Sequence, residues 1–149
     1  MIGSKAKAAV VGTAISGAAV VGMVGAAGPA LAHDSGGLHL SAVAQSPERL
    51  IAKGAALRVS VDVTCNATQY PYLNVNVTEA VGRKIASGTG YANVVCGSGQ
   101  PQVVSVDVVA SPGPAFAPGK AVVATSLGGC LDDQTCGTDS NLRTITLRR

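Results

Sequence analysis

Four cysteines carry the most definite chemistry in this 149-residue chain. Cys65, Cys96, Cys130 and Cys136 form an even set with no C-x-x-C pair and no neighbouring histidine. That pattern points to two disulfides and not to a zinc site. Three connectivities are open. The short, turn-rich spacer Leu131 to Thr135 favours Cys130–Cys136, which leaves Cys65–Cys96. Two histidines, His33 and His39, are the only imidazoles. An N-terminal His33 would offer its α-amine and ring nitrogen as a chelate for copper, with His39 adding a second ring. A copper site of that kind needs a further ligand from the folded body, and no histidine follows His39, so no metal or other cofactor is expected. Asp132 and Asp133, with Asp139 nearby, are the closest approach to an acid–base pair or a calcium site. They lack the D-x-D-x-D-G ladder and read as solvated loop carboxylates.

Nucleophilic catalysis is also poorly provided for. The many Ser and Thr residues have no downstream histidine as base, and no G-x-S-x-G elbow occurs. A Ser–Lys pair has only Lys53, Lys84 and Lys120 to draw on outside the N-terminal segment. The chain is therefore not expected to be an enzyme. Aromatics are scarce: three Tyr, one Phe and no Trp. Tyr70 and Tyr72 flank Pro71, and Tyr91 lies five residues before Cys96. Such side chains serve either as binding anchors or as caps on a core, their hydroxyls bonded to backbone. The capping role is the favoured one for Tyr91, and the two roles are even for Tyr70 and Tyr72. As anchors, Tyr70, Tyr72 and Tyr91 would join Asp132 and Asp133 in a binding surface.

These residues must be positioned by an exported fold. Lys5 and Lys7 precede an uncharged run from Ala8 to Ala27, and Ala30-Leu31-Ala32 closes it. Basic start, apolar middle and Ala-x-Ala site are the parts of a secretory signal peptide. The alternative, a retained anchor, is disfavoured because Gly and Ala rather than Leu fill the run. The expected layout is a cleaved signal peptide over 1–32, a flexible segment over 33–38 and one domain over 39–149, secreted and free of the membrane. Without Lys5 and Lys7 the excess of basic over acidic residues shrinks from three to one. A nucleic-acid partner is thereby excluded. Charged residues are 13% of the chain, too few for a charge-driven tail.

The body reads as strands. Leu57, Val59, Val61, Val63 and Cys65 alternate with Arg58, Ser60, Asp62 and Thr64, the period of a half-buried strand. Leu73 to Thr78, Val104 to Val108, Ala121 to Leu127 and Leu142 to Leu147 follow the same rule. A strand over Ile85 to Val95 is interrupted by Gly88 and Gly90, where a bend or bulge is expected. His39 to Ala44 and Arg49 to Ile51 read as a short edge strand broken at Pro47. Asp62, Asp107 and Glu79 are expected on exposed faces. About seven strands at regular spacing, with no helical stretch, indicate an all-β, Ig-like antiparallel sandwich. Alternating strand directions would gather all four cysteines, and the tyrosines near them, at one end.

The VSVDVTC strand at Val59, the LNVNVTEAVGRKIASGTG segment from Leu73, the CGSGQPQVVSVDV block from Cys96 and the FAPGKAVVA run at Phe116 resemble small secreted Ig-like proteins of actinobacteria. The resemblance spans Ser41 to Leu147 and implies a sandwich fold, with no family function to transfer. The function expected is a secreted, disulfide-stapled Ig-like module with a binding or structural role, its partner a protein or a cell surface. The alternative is an extracellular carrier of copper or a small ligand. Enediyne-carrying apoproteins are similar in size and in their short disulfide loop, but call for an aromatic-lined cleft that so few aromatics furnish poorly. Asn66-Ala67-Thr68 and Asn76-Val77-Thr78 match the N-glycosylation pattern, a chance match if the source is bacterial, as the resemblance implies.

Overall fold

The computed structural model describes residues 37–97 and 99–149. The expected signal peptide, His33 and most of the flexible segment lie outside them. Eight strands realise the alternation: β1 (Leu40–Ala44), β2 (Glu48–Ile51), β3 (Ala56–Cys65), β4 (Gln69–Val81), β5 (Lys84–Asn93), β6 (Gln102–Ala110), β7 (Gly119–Cys130) and β8 (Cys136–Arg148). One 3-10 turn, Ala52–Gly54, joins β2 to β3. In β3 the residues Leu57, Val59, Val61 and Val63 are fully buried, while Arg58 and Asp62 face solvent. Leu73, Val75 and Val77 of β4, Val106 and Val108 of β6, Val123 and Leu127 of β7, and Ile145 and Leu147 of β8 complete the core. The single Phe, Phe116, is buried in the same cluster.

The expected open sandwich is not what forms. The strands follow one another as β3, β2, β8, β7, β4, β5 and β6, and β6 returns to β3, so seven of them close into a barrel, with β1 as an extra strand on β3. The difference lies at two short seams. On one side β5 pairs with β6 through Gly88↔Ala110 and Thr89↔Val109. On the other, β2 lies parallel to β8 through Glu48↔Leu147 and Arg49↔Arg148. The first seam depends on missing side chains. A Cβ added at Gly88 would stand 2.4 Å from the Val109 carbonyl oxygen, and one at Gly90 would stand 2.6 Å from that of Asp107. The glycines read from sequence as a bend are where two backbones come close enough to close the ring.

The first strand of the sequence reading also divides. β1 and β2 both lie along one edge of β3, β1 against Val61 to Cys65 and β2 against Ala56 to Arg58. Between them sits the Ser46–Pro47 peptide, which is cis. The change of strand leaves Ser60 without a ladder partner on this edge. The Gln45 N–H donates to the Ser60 carbonyl at 2.8 Å, and the Ser60 N–H donates to the Glu48 carboxylate at 2.9 Å. On its far edge β1 meets side chains instead of a strand. Ala42 donates its N–H to Asp139 and accepts from the Thr125 hydroxyl, and the Ala44 carbonyl accepts from Arg143. A second correction concerns Glu79, which is buried and not exposed. It shares the inward parity of Leu73, Val75 and Val77, and its carboxylate accepts the Ala117 N–H at 2.9 Å. No buried side-chain polar atom among the described residues lacks a partner, as a stable interior requires.

Two predictions follow from the seams. Gly90→Val should destabilise the barrel by about 1–3 kcal/mol, the range for overpacking. Gly97→Ala, where an added Cβ meets nothing within 4 Å, should change stability by less than about 0.5 kcal/mol. Urea midpoints of the two variants check the contrast. The second concerns pH. Burial raises the Glu48 carboxyl above its ordinary 4.5, against the opposing hydrogen bonds from Ser60. A carboxyl raised on folding holds its proton more tightly in the native state. Its contribution is complete below pH 4.5 and is lost as pH rises through the folded value. Glu48→Gln keeps the bond to Ser60 and removes the titration. Its stability relative to the parent should therefore increase from pH 4 to pH 7; an unchanged difference across that range refutes the assignment.

Candidate functional site

The end of the barrel that carries the cysteines is built from three connections. Cys65–Cys96 ties the end of β3 to the segment after β5, with Cα atoms 5.1 Å apart. Cys130–Cys136 ties the end of β7 to the start of β8 across a directly opposed pair, with Cα atoms 4.0 Å apart. The β3–β4 connection locks onto the second bridge, since the Thr68 N–H donates to the Cys130 carbonyl and the Thr68 hydroxyl to that of Leu131. The pairing is the one favoured from the spacing.

A bulge aims the aromatic residues. Gln69 pairs with Cys130 and Tyr72 with Gly128, so Tyr70 and Pro71 together oppose Gly129. Tyr70 sits at φ 52°, a left-handed conformation that opposes a bulky side chain. It is 82% exposed, and Tyr72 is 50% exposed. Tyr72 lies across Gly128: a Cβ there would be 2.5 to 2.7 Å from ring atoms and the hydroxyl. A Cβ at Gly129 would meet that of Ala67 at 2.7 Å. The pair Gly128-Gly129 is thus a shelf for the β3–β4 connection and the Tyr72 ring. Beside it opens a recess of about 360 Å³ lined by Tyr70, Tyr72, both halves of the Cys130–Cys136 bridge, and Thr138. A smaller hollow of about 210 Å³ continues from Thr138 toward Leu38 and Leu40.

The other expected site residues are placed differently. Tyr91 is 74% exposed on β5, away from the recess. All three tyrosines are exposed, including Tyr91, for which a core-capping place was expected. Asp132 and Asp133 are exposed but do not line the recess. The Asp132 carboxylate accepts the N–H groups of Gln134 and Thr135 at 2.9 and 2.6 Å, and these bonds hold it below the usual carboxylate range. It shapes its own loop. His39 is exposed, its backbone N–H bonded to the Asn66 side chain, which also donates to Gly37. Among the described residues no three His, Cys, Asp or Glu side chains are grouped to hold a metal ion. Lys53, Lys84 and Lys120 are all exposed. A larger recess of about 520 Å³, lined by Leu50, Phe116 and Pro118 with Lys53 and Arg149, lies among the β2–β3 and β6–β7 connections.

Sequence reasoning missed Gly128, Gly129 and Thr138. A Gly-Gly pair before a cysteine was visible, but only the β4–β7 register shows that a tyrosine lies on it. The shelf makes a prediction. Gly128→Ala should force the Tyr72 ring off β7 while leaving both bridges formed, and near-ultraviolet circular dichroism should lose tyrosine signal without a change in the strand spectrum. An unchanged tyrosine signal refutes the packing.

No family model matches this chain, and no curated protein matches its sequence.

Proposed function

We propose that the protein is a secreted, disulfide-stapled β-barrel module that binds a partner and does no chemistry on it. The observation that carries this reading is the treatment of Tyr70. A bulge holds the side chain out in solvent, and the backbone accepts a left-handed φ to do so. Strain of this kind persists where the surrounding structure imposes it, and it concentrates at sites of function. Tyr72 beside it rests on a glycine shelf, and the bridge fixes the opposite wall of the recess. Preformed walls of this sort reduce the ordering entropy that binding must overcome. Two disulfides fit an oxidising compartment. No helix among the described residues is long and apolar enough to cross a membrane. The leader-like N-terminal sequence supports export through a cleaved signal.

A second reading, carriage of a small ligand, is favoured by one observation. The recess of about 360 Å³ falls within the range of small-molecule sites and has two aromatic walls.

Native mass of the exported protein, before and after reduction, separates these readings. The expected mass is that of His33 to Arg149 less four hydrogens, with nothing attached. A retained organic mass favours the carrier, and an added copper overturns the absence of a metal cofactor. A mass beginning at Met1 overturns cleavage after Ala32. Stability gives an independent test of Tyr70. If the side chain is kept for binding at the expense of the fold, Tyr70→Gly should raise stability by up to about 1 kcal/mol. A loss of stability means that the tyrosine serves the fold.

A further inference from the structure

The four strands β5, β4, β7 and β8 are hydrogen-bonded in continuous register, and their outward positions form four rows. The first row runs Ser87–Thr78–Val122–Thr144 and the last Asn93–Tyr72–Gly128–Thr138. No outward position in these rows is charged. Apart from Val122, Ala124, Leu142 and Gly128, every one is Ser, Thr, Asn or Tyr. At ~4.8 Å between strands and ~3.3 Å per residue, the face measures roughly 14 by 20 Å. The opposite wall is different: β3 and β6 carry Asp62 and the exposed Arg58–Asp107 ion pair at 2.7 Å. Lysines appear only past the margin, at Lys84 and Lys120.

The hydrogen-bonding groups on this face are already ordered. The Thr89 hydroxyl donates to the Asn76 carbonyl at 2.8 Å, and the Asn76 amide donates to Asn74 at 2.5 Å. The chain of bonds ends beside Tyr91, which pairs with Asn74. Tyr72 stands diagonal to Tyr91, at the ~7–8 Å separation of such pairs, and Tyr70 continues the line to the recess. A row of exposed aromatic rings beside fixed amides and hydroxyls, with no charge, complements one kind of polymer. It must be uncharged, rich in hydroxyls that donate and accept, and have flat C–H faces to lie on a ring.

We propose that this face binds a neutral polysaccharide, its sugar rings stacked on Tyr91 and Tyr72 and its hydroxyls bonded to Asn74, Asn76 and Thr89. This rests on the binding-module reading and names its ligand class. A charged face would attract its partner through Coulomb forces that salt screens; this face would not.

The test is native affinity electrophoresis of the exported protein through gels containing hydroxyethylcellulose, pullulan, galactomannan or, as the charged control, polygalacturonate. The expected result is retardation by at least one neutral polymer, unchanged between 0.05 and 0.5 M NaCl. Tyr91→Ala should weaken it about tenfold or more, as expected of an aromatic anchor. Because Tyr91 is exposed, its thermal midpoint should match the parent, which separates lost binding from lost folding. Retardation that Tyr91→Ala leaves intact, or that salt abolishes, overturns the proposal. So does a concentration-dependent dimer dissolved by Tyr91→Ala, which assigns the face to a second copy. No retardation by any neutral polymer also overturns it. The wider binding reading fails separately, if Tyr70→Gly lowers stability.

Discussion

Everything in this barrel turns on how closely two backbones approach at Gly88 and Gly90. β5 pairs fully with β4 along its whole length, yet reaches β6 through only two residue pairs. A side chain at either glycine would run into β6 carbonyls. Without that approach β6 would remain on β3 alone, and the sheet would have an open edge on each side. Closure removes those edges and the pairing hazard that comes with them.

The opposite seam is secured by other means. β2 reaches β8 through a short parallel pairing, and above it β1 stands where a full ladder to β8 would have run. Side chains supply the missing hydrogen bonds. Thr125, Asp139 and Arg143 serve the outer edge of β1, and Glu48 serves the stranded N–H of Ser60. This explains why the inward parity of β8 turns polar at Asp139 and Arg143 after apolar Ile145 and Leu147. Those residues face a strand edge and not the core, and a hydrogen bond to a charged group there is stronger than one between neutral groups.

Local patterning made most of the strands legible. The alternation from Leu57 to Cys65 fixes both the strand and its buried side, and the cysteine spacing pointed to the right bridges. Pairing between distant segments was not legible. The ring was missed because Gly88 and Gly90 signal irregularity without naming the strand that approaches them. Glu79 was misplaced because the alternation was read as putting it on a polar face with Asp62 and Asp107, whereas its parity with Val75 and Val77 puts it inside. The tyrosines were scarce enough to single out, but the exposure of Tyr70 depends on a bulge opposite Gly129 that only register reveals. The neutral face escaped for the same reason. Asn74, Asn76 and Thr89 are unremarkable in a linear reading and become a group only when β4 and β5 are aligned.

The parallel contact between β2 and β8 has a consequence for how the chain comes into being. A polypeptide delivered amino end first, by a ribosome or through an export pore, presents its opening strands long before the one that must receive them. Glu48 meets Leu147 only after nearly a hundred intervening residues have emerged, and Ala42 waits almost as long for Asp139. Until then the growing chain has no ring to close, and non-local pairing of this kind forms late. The topology thus acts as a timing device. The ring can close only once β8 has been delivered.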